Sequence, residues 1–153
     1  MEFYAVYQGI LLAEEMLMFE QISKVLRHLP DLIFDPKDRD WEDCKNQISC
    51  HLICRALAKH FDLICCDGYF TPGYQHSWLK TRSESCIIDA YPVAGGSPFI
   101  VAAKWPSPWG KLYRKSNEFQ EKFQTPEFAA HLEQTICAVK ETVQNLNLEP
   151  PSL

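Results

Sequence analysis

The sequence predicts an α+β fold, a central helix packed on a small antiparallel sheet and flanked by N- and C-terminal helices. Three observations lead there. Apolar residues recur at helical spacing near both ends and again from Cys50 to Phe61. Between them lie short runs rich in strand formers at roughly 63–70, 75–81 and 86–91, separated by the turn-forming Thr71-Pro72-Gly73-Tyr74 and Thr81-Arg82-Ser83-Glu84. A length of 153 residues, 46% of them apolar, suits one domain with a true core, and no internal repeat interrupts it. The expected unit is a single domain over 1–153, with its core at about 44–103.

The first helical pattern runs from Phe3 to Leu29, in one piece or in two split near Gly9. Ile10, Leu11, Ala13, Met16, Leu17, Met18, Phe19, Ile22, Val25, Leu26 and Leu29 include a broad stripe, with Glu14, Glu15, Lys24 and Arg27 expected on the wet side. Core packing is the expected use of that stripe, and a face for a protein partner is the alternative. Glu14, Glu15 and Glu20 do not give the basic polar face that lipid insertion would want. Pro30 ends the pattern. The acidic segment Asp31–Asp43 then reads as a loop around Pro36, with Asp40 or Asp43 available to cap an early turn. It lacks the spacing and the glycine of a calcium loop.

Cys50, Cys54, Leu57, Ala58 and Phe61 fall on one face of the next helix. After the three strands, Gly95-Gly96-Ser97-Pro98 is a turn without the framing of a phosphate loop, and Phe99–Ala103 is a candidate fourth strand. Two prolines between Trp105 and Trp109 preclude regular structure there, so that loop either covers core, lines a substrate cleft or meets a partner. The last helical region covers 117–146 with a break at Thr125-Pro126, where Thr125 as cap and Pro126 at the first position make a start signal. Phe128, Ala129, Leu132, Ile136, Val139, Val143 and Leu146 are its expected buried face. His131 and Cys137 do not share a face there and are expected to be structural.

Composition narrows the function. A formal net charge of −5 supplies no basic surplus for phosphates, so nucleic acid is not the expected partner. No run approaches the ~20 apolar residues of a membrane span, and Met1-Glu2-Phe3-Tyr4 lacks the basic start of a signal peptide. Seven cysteines, an odd number, fit a reducing, cytoplasmic setting better than a disulfide framework. No CxxC pair occurs and Cys65-Cys66 are adjacent, which is poor chelating geometry on a strand, so neither a metal nor another cofactor is expected.

The chemistry-bearing residues lie between Gln47 and Pro92. Cys50 opens a helix, His76 opens one strand and Asp89 closes the next. A thiol must lose its proton to become a nucleophile, an imidazole can take it, and a carboxylate orients the imidazole. A hairpin turn centred between Arg82 and Ser83 would set His76 opposite Asp89, Leu79 opposite Cys86 and Trp78 opposite Ile87. Directly opposed side chains start roughly 4.5–5.5 Å apart, close enough for an Nδ1–H to carboxylate bond. A slip of one residue would send the aspartate to the wrong face. Dipole and first-turn amides at a helix start near Cys50 would favour a thiolate. His51 and His60, the competing imidazoles, are expected at the surface or between helices.

Ser49-Cys50, Gly68-Tyr69-Phe70, His76-Ser77-Trp78 and Ile87-Ile88-Asp89-Ala90-Tyr91 together resemble the catalytic core of the transglutaminase-like group in the papain-like cysteine peptidase superfamily. The resemblance covers under a third of the chain, and His-Ser-Trp with Ile-Ile-Asp-Ala-Tyr-Pro is its most specific part. It implies a papain-like core, Cys50 as nucleophile, His76 as general base and then acid, and Asp89 as orienting carboxylate. Ser49 departs from the usual glycine, and no secure match exists for an upstream oxyanion donor. Gln47 and Trp41 are candidates by proximity, and Trp78, Trp105 and Trp109 are candidates to line the substrate site. The implied activity is hydrolysis or transamidation of a peptide or protein amide or ester. The alternative is a non-catalytic interaction module of the same fold, meeting a protein partner through the N-terminal helix or the Trp105–Trp109 loop.

Overall fold

Ser49 starts the central helix. Its hydroxyl accepts the amide of Leu52 at 3.3 Å and its carbonyl accepts that of Ile53 at 3.0 Å, so two first-turn donors are satisfied. The cap expected at Asp40 or Asp43 is thus supplied nearer the helix. The structure, a computed structural model, describes residues 11–30, 49–71, 73–90, 101–105 and 107–151. Trp41, Gln47, Asp40, Asp43 and Cys44 lie outside the described residues, as does the stretch before Leu11.

Among the described residues, three α-helices accompany a five-stranded antiparallel sheet. Helix α1 spans Ala13–His28, α2 spans Cys50–His60 and α3 spans Pro126–Asn145. The strands are β1 Leu63–Phe70, β2 Tyr74–Thr81, β3 Cys86–Asp89, β4 Val101–Lys104 and β5 Tyr113–Lys115, in the sheet order β4-β3-β2-β1-β5. The α+β class is therefore as the sequence implies, with β5 added. No described helix is long and apolar enough to cross a membrane.

Strand parity builds two hydrophobic clusters, one on each face of the sheet. Leu63, Leu79, Cys86 and Ile88 face the helices and pack with Leu52, Ile53, Cys54, Ala56 and Leu57 of α2. Met18, Ile22, Val25 and Leu26 from α1, and Ala138, Val139 and Val143 from α3, close over them. Helix α2 is buried on nearly every side; of its residues only Lys59 is exposed. Met18, Phe19, Ile22, Val25 and Leu26 of the α1 stripe are consumed by this core, while Leu17 stays exposed. On the opposite face Cys66, Phe70, Trp78, Ile87 and Tyr113 form the second cluster.

Three expectations about single positions are corrected. Glu15 is buried, because Lys104, Ser85 and the Leu12 amide converge on its carboxylate and join α1 to the β3–β4 edge. On α3 the buried face is turned toward Thr135, Ala138 and Thr142, the two threonine hydroxyls bonding the carbonyls four residues back, while Ala129 is exposed. Cys137 is exposed too, so it is no part of that helix's packing.

The close approach of β5 to β1 depends on Gly68. A Cβ there would stand 2.0 Å from the Arg114 carbonyl oxygen, well inside contact distance. Only glycine lets the backbone of β5 run beside β1 at that point.

Candidate active site

The hairpin of β2 and β3 pairs Leu79 with Ile88 and Lys80 with Ile87. That register is displaced by two residues from the one expected, so Asp89 is carried opposite Trp78 rather than His76. The turn does begin at Thr81, whose carbonyl accepts the Glu84 amide at 2.8 Å. Glu84 then adopts a left-handed φ of 55°, and Thr81 Oγ1 accepts the Cys86 amide at 3.2 Å, which delays β3. Because side chains alternate with period two, a shift of two keeps every face assignment, and a diagonal neighbour remains within reach of an imidazole.

His76 and Asp89 accordingly meet: Nε2 of the ring lies 2.8 Å from Asp89 Oδ2, both residues being essentially sealed from solvent. The ring nitrogen facing the carboxylate is Nε2 and not the expected Nδ1. Cys50 acts on the same ring, and with Nε2 turned to Asp89 the nitrogen that remains on that ring is Nδ1. Burial disfavours a charged ring, but the Asp89 carboxylate, its hydrogen bond and the Cys50 contact together push the His76 pKa up to about 10.

Tyr113 is the site residue the sequence analysis missed. Its hydroxyl donates to the same Asp89 oxygen at 2.8 Å. Burial, reinforced by the negative charge of Asp89, holds the phenol far above its ordinary pKa, so it stays a donor. No sequence pattern marks a three-residue strand as the partner of an aspartate in the β3 strand. The rings of Phe70, Trp78 and Tyr113 surround His76 at 6.2–6.4 Å, Trp78 stacked on it.

On the α2 side a polar network supports the start of β2. Asp67 takes both arms of Arg55 at 3.1 and 2.7 Å, the Ser77 hydroxyl at 2.6 Å and the Gln120 amide at 2.9 Å. These donors outweigh burial and lower the Asp67 pKa. Ser77 Oγ also lies 2.7 Å from Nδ1 of His51. His51 is therefore not a surface residue: it is buried between Ser77 and the rings of Phe119 and Phe123. Burial, with repulsion from Lys122 and Arg55, lowers its pKa to about 3, so it stays neutral. His60 packs edge-on against Phe61 within reach of the α3 lysine Lys140, the interhelical place expected for it.

The described cysteines are all free thiols. Burial raises the pKa of Cys54, Cys65, Cys66 and Cys86, Cys65 and Cys86 to about 12, which keeps those sulfurs protonated and unreactive. Cys54 donates to the Ser77 carbonyl at 3.3 Å instead of standing beside an imidazole. Cys50 is 5% exposed. Of the tryptophans named as substrate candidates, Trp78 is fully buried, Trp109 is half-buried against Phe70, and Trp105 is 38% exposed. Among the described residues no cluster of His, Cys, Asp and Glu side chains is arranged to hold a metal ion. No protein-family model, curated protein or solved structure matches the chain.

Proposed function

We propose that this chain is a thiol-dependent acyl-transfer or amide-hydrolysing enzyme of the transglutaminase-like type, with a papain-like arrangement of its core. The observation that carries the reading is the buried His76–Asp89 pair, on whose ring the Cys50 side chain also acts. The Cys50 sulfur, paired as the thiolate with the His76 imidazolium, attacks the carbonyl carbon of an amide or ester. The bond to the leaving amine or alcohol then breaks as the imidazolium returns its proton to that group. A thioester on Cys50 remains, and water or an amine resolves it. Asp89, held by Tyr113, fixes the ring and favours its charged form while the proton resides there. The positive end of α2 lies beside the sulfur and favours negative charge on it. Gln47 and Trp41, the oxyanion candidates, are outside the described residues.

Alkylation by iodoacetamide tests this in a Cys44→Ser/Cys137→Ser background, which removes the exposed Cys137 thiol. Cys50→Ala should abolish the fast reaction, Cys54→Ala should leave it, and His76→Ala should slow it by about tenfold or more. Equal rates in all variants would end the reading.

A second reading has one observation in its favour: the Cys50 residue is 5% exposed. A non-catalytic interaction module of the same architecture would keep its thiol covered. It predicts an alkylation rate at Cys50 no greater than that of buried Cys54.

A further inference from the structure

On the sheet face away from α2 lies a cavity of about 290 Å³ that contains none of Cys50, His76 or Asp89. Its floor is the outward side of the sheet, Cys66, Trp78 and Ile87 with Tyr113 from β5. Trp105 forms one wall, and it is held in place although 38% exposed. Its amide donates to the Ser85 carbonyl at 2.8 Å, and Gly110 packs so closely beneath the indole that a Cβ there would stand 2.6 Å from Cε3.

The charge in the cavity is positive. Lys80 and Lys115 belong by strand parity to this face, and Lys80 Nζ lies 4.9 Å from the Trp105 ring centre. Arg114 also borders the cavity, but its guanidinium lies over Tyr69 at 5.0 Å, on the other side of the sheet, so the lysines supply the charge. Burial raises the Cys66 thiol, and Lys115 and Lys80 act against that rise, in keeping with ammonium groups close to the floor. Asp67 and Glu84 act on Cys66 from farther round, yet neither lines the cavity. Among the described residues neither lysine forms an ion pair. The Trp78 ring borders the cavity, and its indole N–H is sealed from solvent without an acceptor among the described residues.

We infer that this cavity binds a small aromatic anion, a ring bearing a carboxylate or a phosphate, with the ring between Trp105 and the Trp78–Tyr113 floor and the anion at Lys80 and Lys115. Three aromatic side chains and two ammonium groups without a carboxylate partner among the described residues select a ring and a negative charge together. The volume, at the lower end for ligand pockets, suits a single ring and its substituent.

Titration of the ¹⁵N-labelled full chain, followed through the indole N–H signals assigned by Trp78→Phe and Trp105→Phe, tests the inference. Benzoate or phenyl phosphate should move both signals saturably, and whichever binds tighter identifies the anion. Lys80→Gln/Lys115→Gln should weaken binding by about fivefold or more with the rest of the spectrum retained. Cys50→Ala should bind as the parent does, which separates this site from the acyl-transfer reading. Absence of a saturable shift would overturn the inference. So would equal binding of benzyl alcohol, which lacks the charge, or of inorganic phosphate, which lacks the ring.

Discussion

Tyr113 donates its hydroxyl to the Asp89 oxygen that also faces the His76 imidazole, 2.8 Å away in each case. One carboxylate oxygen thus ties β5 to the hairpin of β2 and β3. Hydrogen bonds to charged groups contribute roughly 1.5–3 kcal/mol when buried. Tyr113→Phe should therefore lower the unfolding free energy in urea by about that amount, and it should slow alkylation of Cys50 at neutral pH. An unchanged urea midpoint would contradict the role assigned to the hydroxyl.

Stability should depend on pH through two buried imidazoles that act in opposite directions. Unfolded histidine titrates near ~6.5. Above that pH the folded chain keeps a proton on His76 that the unfolded chain has lost, so stability falls as pH rises toward about 10. Below it the unfolded chain gains a proton that folded His51 refuses down to about 3, so stability falls on acidification. Urea midpoints should peak near pH ~6.5. His51→Gln should flatten the acid limb and Asp89→Asn the alkaline one; a profile rising steadily to pH ~9 would refute the assignment.

Arg55 and Asp67 form a fork-to-carboxylate pair with side chains 18% and 11% exposed. The guanidinium also lies 3.9 Å from the centre of the Phe123 ring. Arg55→Ala would leave the carboxylate with Ser77 and Gln120 alone, and a loss of about 2–4 kcal/mol is expected. Arg55→Lys should recover less than half of it, because an ammonium cannot supply both parallel bonds or the planar stack. Calorimetry or urea titration of the two variants makes the comparison.

Gly68→Ala should separate β5 from β1, since the new methyl would collide with the Arg114 carbonyl. The expected loss is about 1–3 kcal/mol, the range for overpacking a tight site. Hydrogen exchange should show faster loss of protection at Tyr113 and Lys115 than in α3. Exchange unchanged in β5 would mean that the strands approach less closely than described.

Much of the architecture was legible because it follows from periodicity. The start of α3 at Thr125-Pro126, the fourth strand near 101–103 and the inward set Leu79, Cys86 and Ile88 needed only spacing and turn chemistry. The strand β5 was not legible, since three residues carry no period and pairing with β1 depends on Gly68 having no side chain. The burial of Glu15 and His51 was also missed. Their partners, Lys104 and Ser77, lie far along the chain, and a polar residue's burial is decided by what reaches it.

By itself, the sequence determined which residue types could share a face, and parity made that robust: a two-residue displacement of the hairpin left His76 and Asp89 on the same side. Tertiary structure alone decided the ring nitrogen presented to the carboxylate, the arrival of Tyr113 at the same oxygen, and the sealing of His51 as a neutral ring. Alternation along a strand is a local property of the backbone. Distances between side chains on different elements depend on how the layers pack.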